Sequence, residues 1–548
     1  MFFKVAIVFI LLCTSVPSYA AFAIFQTYSN AAAPAVTSCN VVTGVATGLD
    51  AGTCASPPAT CDGVADDRNA FVAINTWARA TTTNTNGQLL ELYIPSGAVC
   101  MFLSGNVTNN YILSGLTKSR LSAYGATLRS PGSNGWSIGP APIGPPGGGI
   151  CQRGLDFAGG CSARTSSVSA GATSVTINTT GFSGSLATLC TRFTAGLWAL
   201  VSGYDLQGGS GHAYGFPPNP HFFDYVQIAS TANCASTGQI TFNSALKYSY
   251  LDTWPNWNSG SAVESDQGGP ATIYALGPYW GGEAEILGVT LDLTCSQCAT
   301  KAIGRLVTFK DVTNLGSFCV WPSENKTITL DNFTGTNCNM EIDKIAETVI
   351  FKNSPNLRQF HTQSSSVDTI IVDNVIFSGG IVGTPKVASI SNSTIPNLQL
   401  GPLAYGIPTS ASCTNCVIGN VMTGFGNANL GKGGPNNPGA NIFYGVSGGV
   451  FSMPGQVFVT NVTDNGSGKV RLTVGTTTGW QTDTWPSYSS LFATCGGTSP
   501  CAGFAKITVV SGTTIDLPDY NFADVTWTGT GDLYWSAIDA SWGIPGTN

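Results

Sequence analysis

The sequence predicts an all-β protein organised around a parallel β-helix, and three observations lead to this prediction. Only 9% of the 548 residues are charged, against about 25% in an ordinary soluble domain. Glycine contributes 67 residues, and 43% of the chain is hydrophobic. A motif that contains asparagine recurs at intervals near 21 residues in the middle of the chain. Weakly charged, turn-rich chains with a fixed repeat are typical of stacked β-coils.

The composition also excludes several classes of protein. With 22 Lys and Arg against 29 Asp and Glu, the formal net charge is −7. Nucleic-acid binding needs clustered cations, so we expect no nucleic-acid partner. Coiled coils and helical bundles need more charged residues on their solvated faces. Disordered chains are poorer in hydrophobic residues and aromatic residues, which here make up 10% of the chain.

The first 20 residues have the pattern of a secretory signal. Lys4 provides the positive charge, Val5–Cys13 is apolar, and Ser18 and Ala20 supply small residues before a cleavage site. The apolar run is shorter than the roughly 20 residues that span a bilayer, and we find no later candidate segment. We therefore expect an exported protein, extracellular or periplasmic, without a membrane partner.

The cysteine count fits an oxidising compartment. Of 17 cysteines, Cys13 lies in the signal, which leaves 16. An even number of cysteines in an exported chain indicates disulfide bonds. The alternative is a zinc site, because two C-x-x-C pairs occur, although more than 100 residues separate them. Pairing by proximity in the sequence gives Cys39–Cys100, Cys54–Cys61, Cys151–Cys161, Cys190–Cys234, Cys295–Cys298, Cys319–Cys338, Cys413–Cys416 and Cys495–Cys501.

The repeat predicts the central architecture. Five similar segments start at residues 307, 328, 349, 370 and 388, which are 21, 21, 21 and 18 residues apart. Each has a short strand, then Asp or Asn, then a second strand. Asn tolerates the left-handed backbone conformation, and its amide can hydrogen-bond to the next turn of a ladder. A β-sandwich would instead show Asn-Gly hairpin turns without a fixed period. We therefore predict a parallel β-helix over 283–420. The equivalent turn residues are Asp311, Asn332, Asn353, Asn374 and Asn392.

Motifs near the N-terminus resemble a known superfamily. Asp62-Gly-Val-Ala-Asp-Asp-Arg-Asn-Ala-Phe is similar to the opening of the pectate-lyase-like superfamily of right-handed β-helices. The segments that begin at Leu92 and Gly125 are similar to its first coils, although the usual Tyr-Gly-Ala strand before the motif is missing. The resemblance implies a right-handed coil whose open end is capped by a helix. Asp66 is the expected N-cap of this helix, and its carboxylate is structural. The expected apolar face of the helix is Ala70, Phe71, Ile74, Trp77 and Ala78.

Two segments predict small all-β modules attached to the β-helix, because their strands share a weak internal similarity. The Gly-rich run from Gly424 to Gly448 predicts a linker. The predicted divisions are 1–20 signal peptide, 21–160 cap and first coils, 161–250 inserted β-module, 251–423 central coils, 424–451 linker, and 452–548 C-terminal β-module.

The strands after the Asn turns predict a groove. We place these strands at 318–321, 339–343, 357–363 and 380–383. If Met340 and Phe360 point into the core, strand alternation turns the residues on either side of them outward. Adjacent coils lie about 4.8 Å apart. This arrangement brings Glu341 beside His361 and Asp343 beside Gln363.

This groove predicts carbohydrate chemistry. Glu341 and Asp343 would lie roughly 6.5–7 Å apart, near the separation of the two carboxylates of an inverting glycosidase. A lyase would need Arg358 to neutralise a uronate carboxylate and His361 to accept a proton. Both reactions stay open, as does a purely solvating role for these side chains. Predicted substrate-binding residues are Trp321, Asn339, Gln359 and Gln363. An alternative acid cluster comprises Glu283, Glu285 and Asp292, with Tyr279 and Trp280 beside them.

The resemblance supports the fold more than any one reaction. The Asn-Thr-Asp, Asp-Asp, Gly-His-Gly and Arg-Ile-Lys motifs of polygalacturonases are not found in register, and a calcium-binding Asp cluster is not evident. We therefore expect no cofactor and no metal, with calcium as an alternative that the sequence does not support. The expected function is that of a secreted protein which cleaves an extracellular polysaccharide. The alternatives are a non-catalytic polysaccharide-binding, adhesin-like protein and a tail-spike-like trimer.

Overall fold

The structure is a computed structural model, and its described residues form a parallel β-helix with attached β-modules. The described residues are 35–104, 110–131, 135–141, 162–179, 184–203, 222–248, 250, 252, 271–293, 300–316, 319–341, 345–361, 366–383, 385–400, 410–423, 441–447, 451–452, 457–477, 482, 487–489, 491–495, 505–529 and 531–534.

Two long sheets form the walls of the β-helix, and most neighbouring strands in them are parallel. The first sheet has 15 strands. They are Thr37–Asn40, Val45–Gly48, Gly52–Thr53, Leu90–Tyr93, Tyr111–Ile112, Lys118–Ser122, Trp136–Ile138, Glu283–Leu287, Thr300–Lys310, Val320–Asp331, Ile345–Lys352, Ser366–Asp373, Pro385–Ser391, Ser410–Thr414 and Phe451–Ser452. The second sheet has 11 strands. They are Asp62–Asp66, Val99–Met101, Thr127–Ser130, Thr290–Leu293, Thr313–Asn314, Thr334–Glu341, Asn356–His361, Phe377–Gly383, Thr394–Leu400, Val417–Thr423 and Asn441–Ser447. The predicted all-β fold class, with a parallel β-helix, is confirmed.

The predicted Asp and Asn residues form the turns between the two sheets. Asn332, Asn353, Asn374 and Asn392 have φ between 50° and 56°, and Asp311 has φ 57°. Asn tolerates this left-handed conformation because its short side chain hydrogen-bonds locally. The amide Nδ2 of Asn332 donates to Asp311 Oδ1 at 2.7 Å, and that of Asn374 donates to Asn353 Oδ1 at 3.1 Å. These bonds link successive coils.

Apolar side chains from both sheets fill the interior of the coil. Phe351 is fully buried, and its ring centroid lies 5.0 Å from that of Phe360 and 5.7 Å from that of Phe377. Both pairs are edge-to-face, the arrangement that aromatic quadrupoles favour. The interior is therefore a packed core.

A column of alternating charge runs along the first sheet. Strand register places Lys310, Asp331, Lys352 and Asp373 side by side on four successive coils. Lys352 Nζ lies 3.3 Å from Asp331 Oδ2. Each charge therefore has a neighbour of opposite sign.

The N-terminal cap contains the helices Arg68–Ala80 and Thr82–Thr85. The first helix buries Ala70, Phe71, Ile74 and Ala78 as predicted, while Trp77 is partly buried against the core.

Asp66 is not the N-cap of the first helix, because that position belongs to Asp67. The carboxylate of Asp67 accepts backbone N–H bonds from Thr60, Cys61 and Met101 at 2.7–3.0 Å. It therefore ties the start of the helix to the segment just before the strand Asp62–Asp66 and to the end of the strand Val99–Met101, instead of capping the helix with its side chain.

The disulfides correct part of the predicted pairing. Cys190–Cys234 is confirmed, but the four cysteines that follow Cys13 pair as Cys39–Cys54 and Cys61–Cys100. The antiparallel strands at 45–53 fold back beside Cys39, and the N–H of Val99 binds the carbonyl of Cys61. Spatial neighbours thus differ from sequence neighbours. Cys319 and Cys416 are also disulfide-bonded, and their partners lie outside the described side chains.

An inserted module forms a closed six-stranded barrel, which we call the barrel. Its core includes Val175, Val201, Val226 and Ile273. The helices Leu186–Cys190 and Cys234–Thr237 flank it. The last strand lies beyond the predicted boundary at residue 250. The strands are Ser162–Thr165, Ser174–Asn178, Trp198–Gly203, Phe222–Ser230, Gln239–Phe242 and Thr272–Ala275.

The C-terminal module has its own core around Leu472 and Ile515. Its six-stranded sheet and its two-stranded sheet are antiparallel. The strands of the module are Val457–Asp464, Lys469–Val474, Ser487–Ser489, Phe492–Cys495, Thr508–Ser511, Thr514–Asn521, Val525–Trp527 and Asp532–Tyr534, and a 3-10 turn spans Phe522–Asp524. Throughout the part of the chain that the structure describes, no helix has the length and apolarity needed to cross a membrane.

Candidate functional site

The predicted groove strands are neighbours in the second sheet. Asn339 pairs with Gln359 and Glu341 pairs with His361 in the backbone register. Met340 and Phe360, which lie between them, are 2% and 0% exposed. Asp343 and Gln363 lie outside the described residues, as do the side chains of Glu341 and His361.

A register irregularity changes the surface of these strands. The register shifts between Leu357 and Gln359, and a similar shift precedes Asn339. As a result Arg358 is exposed and Gln359 is half-buried, so two consecutive residues lie outside the core. Arg358 Nη1 makes a long 3.5 Å contact with the carbonyl of Asn337. The side-chain oxygen of Asn339 is buried without a hydrogen-bond partner.

Trp321 lies on a different sheet from Asn339 and Gln359. The sequence placed a strand at 318–321 in the groove sheet, but Val320–Asp331 is one strand of the first sheet. The chain turns a corner inside this strand at Glu324, where φ is 90°. Trp321 pairs with Lys301 on the previous coil, and Lys301 Nζ lies 5.8 Å from its ring centroid. The backbone N–H of Cys319 donates to the carbonyl of Asn339 at 3.1 Å, so the chain that leads into Trp321 runs beside the end of the strand Thr334–Glu341.

The alternative acid cluster consists of ion pairs. Glu283 is bound by Arg305, Glu285 by Arg120 at 2.9 Å, and Asp292 by Arg129 at 2.7 Å. Trp280 is fully buried and donates its Nε1–H to the carbonyl of Glu324 at 3.0 Å. These contacts favour a structural role for the cluster.

The structure reveals a further charged cluster where the barrel meets the first sheet, which we call the junction cluster. Lys247 of the barrel lies with its Nζ 2.5 Å from Asp368 Oδ2, 3.3 Å from Glu347 Oε1 and 3.8 Å from Asp224 Oδ1. Lys326 Nζ approaches Glu347 Oε2 at 3.7 Å. Three carboxylates and two ammonium groups thus meet at one place.

Burial and neighbouring charges shift the pKa values of Asp224 and Lys247 in the junction cluster. Burial raises the pKa of Asp224 to about 6, with further increases from Asp368 and Glu347, while Lys247 and the Tyr250 hydroxyl oppose the rise. Burial lowers the pKa of Lys247, but the surrounding carboxylates, led by Asp368, outweigh it and raise that pKa well above its usual value. Lys247 therefore stays charged at neutral pH.

The junction cluster joins two parts of the molecule. Asp224 and Asp368 are 2% and 3% exposed, so their carboxylates are not presented to a bound polymer. Strand register and the 21-residue spacing of Lys326, Glu347 and Asp368 place these three on successive coils. That spacing is the one sequence signal that could have indicated the β-helix half. Asp224 and Lys247 carry no such signal.

One group of possible metal ligands occurs among the described residues, and it does not fit a metal. Cys61, Asp67 and Cys100 lie within 4.8 Å of one another. The two cysteines form a disulfide, and both carboxylate oxygens of Asp67 accept backbone hydrogen bonds. Metal ligation requires free thiolates and free carboxylate oxygens.

Comparison with known proteins gives no family assignment. No family model and no curated protein matches the chain. Solved structures with some similarity include three phage tailspikes. The gp49 tailspike of Pseudomonas phage LKA1 is 11% identical over 85% of this chain and 92% of that chain, with a TM-score of 0.24. The gp61 tailspike of Pseudomonas phage phi297 is 10% identical over 90% and 98%, with a TM-score of 0.29.

A third similar structure is the Gp54 tailspike of Acinetobacter baumannii bacteriophage AP22, in complex with A. baumannii capsular saccharide. It is 10% identical over 86% of this chain and 90% of that chain, with a TM-score of 0.19. With TM-scores this low, the three similarities carry no argument about this protein. The β-helix assignment rests on the strand registers, and the pectate-lyase-like resemblance remains one of sequence motifs.

Proposed function

We propose that this protein is exported and that it binds and cleaves an extracellular polysaccharide on the second sheet of the β-helix. The observation that carries the proposal is the register of two adjacent coils, which pairs Asn339 with Gln359 and Glu341 with His361. From this backbone register we infer that an acid, an imidazole and two amides form one patch beside the exposed Arg358. Polar groups of these types bind and activate sugars.

The binding part of the proposal rests on the amide and guanidinium groups. The half-buried Gln359 can offer its amide to a sugar hydroxyl, whereas the side-chain oxygen of Asn339 is itself buried. Arg358 offers several N–H donors and matches a carboxylate in a bidentate geometry. The patch therefore suits a polymer with hydroxyl groups and, in the lyase case, uronate units.

Two reactions are consistent with the patch. In a hydrolase, Glu341 and Asp343 would divide the roles of general acid and general base. In a lyase, Arg358 would neutralise the uronate carboxylate, and His361 would remove the proton next to it. Trp321 lies two residues after Cys319, whose backbone N–H binds the carbonyl of Asn339, so we propose it as a stacking surface at the edge of the patch.

A panel of acidic and neutral polysaccharides tests the proposal. Hydrolysis releases reducing ends alone, whereas the lyase reaction also forms an unsaturated uronate that absorbs in the ultraviolet. Glu341→Gln, Asp343→Asn and His361→Ala should each lower kcat by roughly 10²- to 10⁴-fold if the residue transfers a proton. Asp331→Asn, on the first sheet, is the matched control and should keep full activity. Absence of both products on every polymer would contradict cleavage.

Binding without cleavage is the second candidate function, and the exposed Arg358 beside a partly buried amide pair favours it. Glycan-array binding that survives Glu341→Gln, Asp343→Asn and His361→Ala, without turnover, would support this function. A trimer in light scattering would support the tail-spike-like variant, whereas a monomer would exclude it. N-terminal sequencing of secreted protein should find Ala21 as the first residue.

We also propose that the activity needs no metal or other cofactor. Both reactions above use only side chains of the chain itself. Treatment with EDTA should therefore leave the rate of cleavage unchanged. A loss of activity that added calcium restores would contradict this expectation.

A further inference from the structure

Two lysines join the barrel and the β-helix in opposite directions. Lys247 reaches from the barrel to Asp368 and Glu347 on two adjacent coils of the first sheet. Lys326 reaches from the first sheet to the barrel and donates to the backbone carbonyl of Tyr225 at 3.2 Å. These reciprocal contacts fix the barrel on the corner of the coil.

Asp224 positions the lysine of the barrel. Its Oδ2 accepts hydrogen bonds from the backbone N–H of Lys247 at 3.0 Å and from the hydroxyl of Tyr250 at 2.7 Å. The same carboxyl group lies 3.8 Å from the ammonium that reaches across the junction. Asp224 is thus tied to the barrel while it faces the charges of the β-helix.

Among the residues that the structure describes, the junction cluster has one more carboxylate than ammonium groups. The carboxylates are Asp224, Glu347 and Asp368, and the ammonium groups are Lys247 and Lys326. The rings of Phe223 and Tyr248 lie 6.0 and 5.5 Å from Lys247 Nζ and add no charge at neutral pH. Since burial makes an excess charge costly, one proton would balance the cluster.

We propose that the junction cluster is a pH-responsive clamp in which protonation of Asp224 tightens the attachment of the barrel to the β-helix. Asp224 accepts the balancing proton because its carboxylate is buried and lies farther from Lys247 Nζ, at 3.8 Å, than the carboxylates of Glu347 and Asp368. When Asp224 is neutral, the charge of Lys247 is paired only with Glu347 and Asp368, which lie on the β-helix side of the junction.

The direction of the pH effect follows from the charges on each side. The pKa of Asp224 is raised to about 6, from 3.8, by burial and by Asp368 and Glu347. Asp368 and Glu347 face Asp224 only when the barrel is attached, so attachment is coupled to proton uptake. By linkage, this stabilisation is present at low pH and is lost as the pH rises through about 6. Attachment should therefore strengthen from about pH 8 to about pH 5.5.

Asp224→Asn tests the clamp because it removes the charge and keeps the shape. The amide oxygen can still accept from Lys247 N–H and Tyr250 O–H. Hydrogen–deuterium exchange of peptides covering 223–228 and 345–350, corrected for intrinsic exchange, reports the attachment. In the unmodified protein their protection should rise roughly 3- to 10-fold from about pH 8 to about pH 5.5. In Asp224→Asn it should be high at both pH values.

Two further variants keep the test decisive. Asp331→Asn, an acid in an ion pair outside the junction, should retain the pH dependence of the unmodified protein. Lys247→Met should lose protection in both peptides at both pH values, while residues 470–474 of the C-terminal module stay protected. The proposal fails if Asp224→Asn keeps the original pH dependence, or if Lys247→Met leaves protection unchanged.

Discussion

At the scale of single residues, the sequence predicted backbone conformation better than side-chain partners. The turn asparagines have the left-handed φ that their residue type and spacing indicated. The acceptors of their amides were not predictable, because they depend on the stagger between coils. In a simple ladder Asn353 would donate to Asn332 on the previous coil. Its Nδ2 donates instead to Asp331 Oδ1, at 2.9 Å. For the same reason, spacing alone could not distinguish Asp66 from Asp67 as the start of the helix.

Substitutions at Asn353 should separate backbone strain from the amide hydrogen bonds. Asn353→Ala should lower the free energy of unfolding by about 1–3 kcal/mol, because alanine is disfavoured at φ 51° and two hydrogen bonds are lost. Asn353→Gly keeps the turn and should cost less. Urea unfolding measures both. Equal costs for the two variants would show that backbone conformation contributes little.

Asp50 gives a prediction for acid stability. Burial raises its pKa, but hydrogen bonds from Thr83, Thr82 and Thr37 outweigh this effect and lower the pKa to about 2. Because the folded-state pKa is depressed, the stabilisation is present above the unfolded value and is lost as the pH falls through about 2.

The fold around the short helix Thr82–Thr85 should therefore weaken between about pH 4 and pH 2, and Asp50→Asn should remove much of that pH dependence. Hydrogen exchange of peptides covering 80–86 at acid pH measures this effect. An unchanged acid profile in Asp50→Asn would assign the loss to other carboxyl groups.

At the scale of elements, the 21-residue period predicted the stacked coils, and the inward positions of Met340 and Phe360 predicted the register that pairs Glu341 with His361. It did not predict the register shifts beside Asn339 and Gln359, which expose Arg358, because a bulge depends on contacts between coils. Nor did it predict the corner at Glu324. A left-handed glutamate is uncommon and has no local sequence signal.

The aromatic packing of the interior gives a prediction for the coil strands. Phe351 contacts Phe360 and Phe377 and is fully buried. Phe351→Ala should lower the free energy of unfolding by about 3–5 kcal/mol, because it leaves a cavity among rings that cannot collapse into it. Phe351→Leu retains most of the volume and should cost less. Thermal unfolding compares them, and a small effect of the alanine variant would mean that the coil repacks.

At the scale of the whole molecule, the described residues form separate hydrophobic cores. The barrel and the β-helix share a cluster in which Tyr225 stacks on Trp280 at 4.6 Å and packs near Ile303 and Ile345. The core of the C-terminal module is a distinct cluster. The sequence indicated extra β-modules, but the docking of the barrel depends on distant residues and could not be predicted from it.

These cores predict two unfolding events. The barrel and the β-helix should unfold together because they share buried residues, while the C-terminal module unfolds separately. In differential scanning calorimetry, Leu472→Ala should lower the temperature of one transition, and Phe351→Ala should lower that of the other. A single transition that both variants shift equally would show that all parts unfold as one unit.

The alternating charges on the first sheet restrict how such a chain can lengthen over evolutionary time. Lys310, Asp331, Lys352 and Asp373 occupy one column on four successive coils. Duplication of one of these coils, or loss of either inner coil, would bring like charges side by side, which is unfavourable for strand pairing. Duplication or loss of two coils would preserve the alternation. The backbone repeats with every coil, but the sign of the charge repeats only with every second coil. This surface therefore favours the gain or loss of coils in pairs.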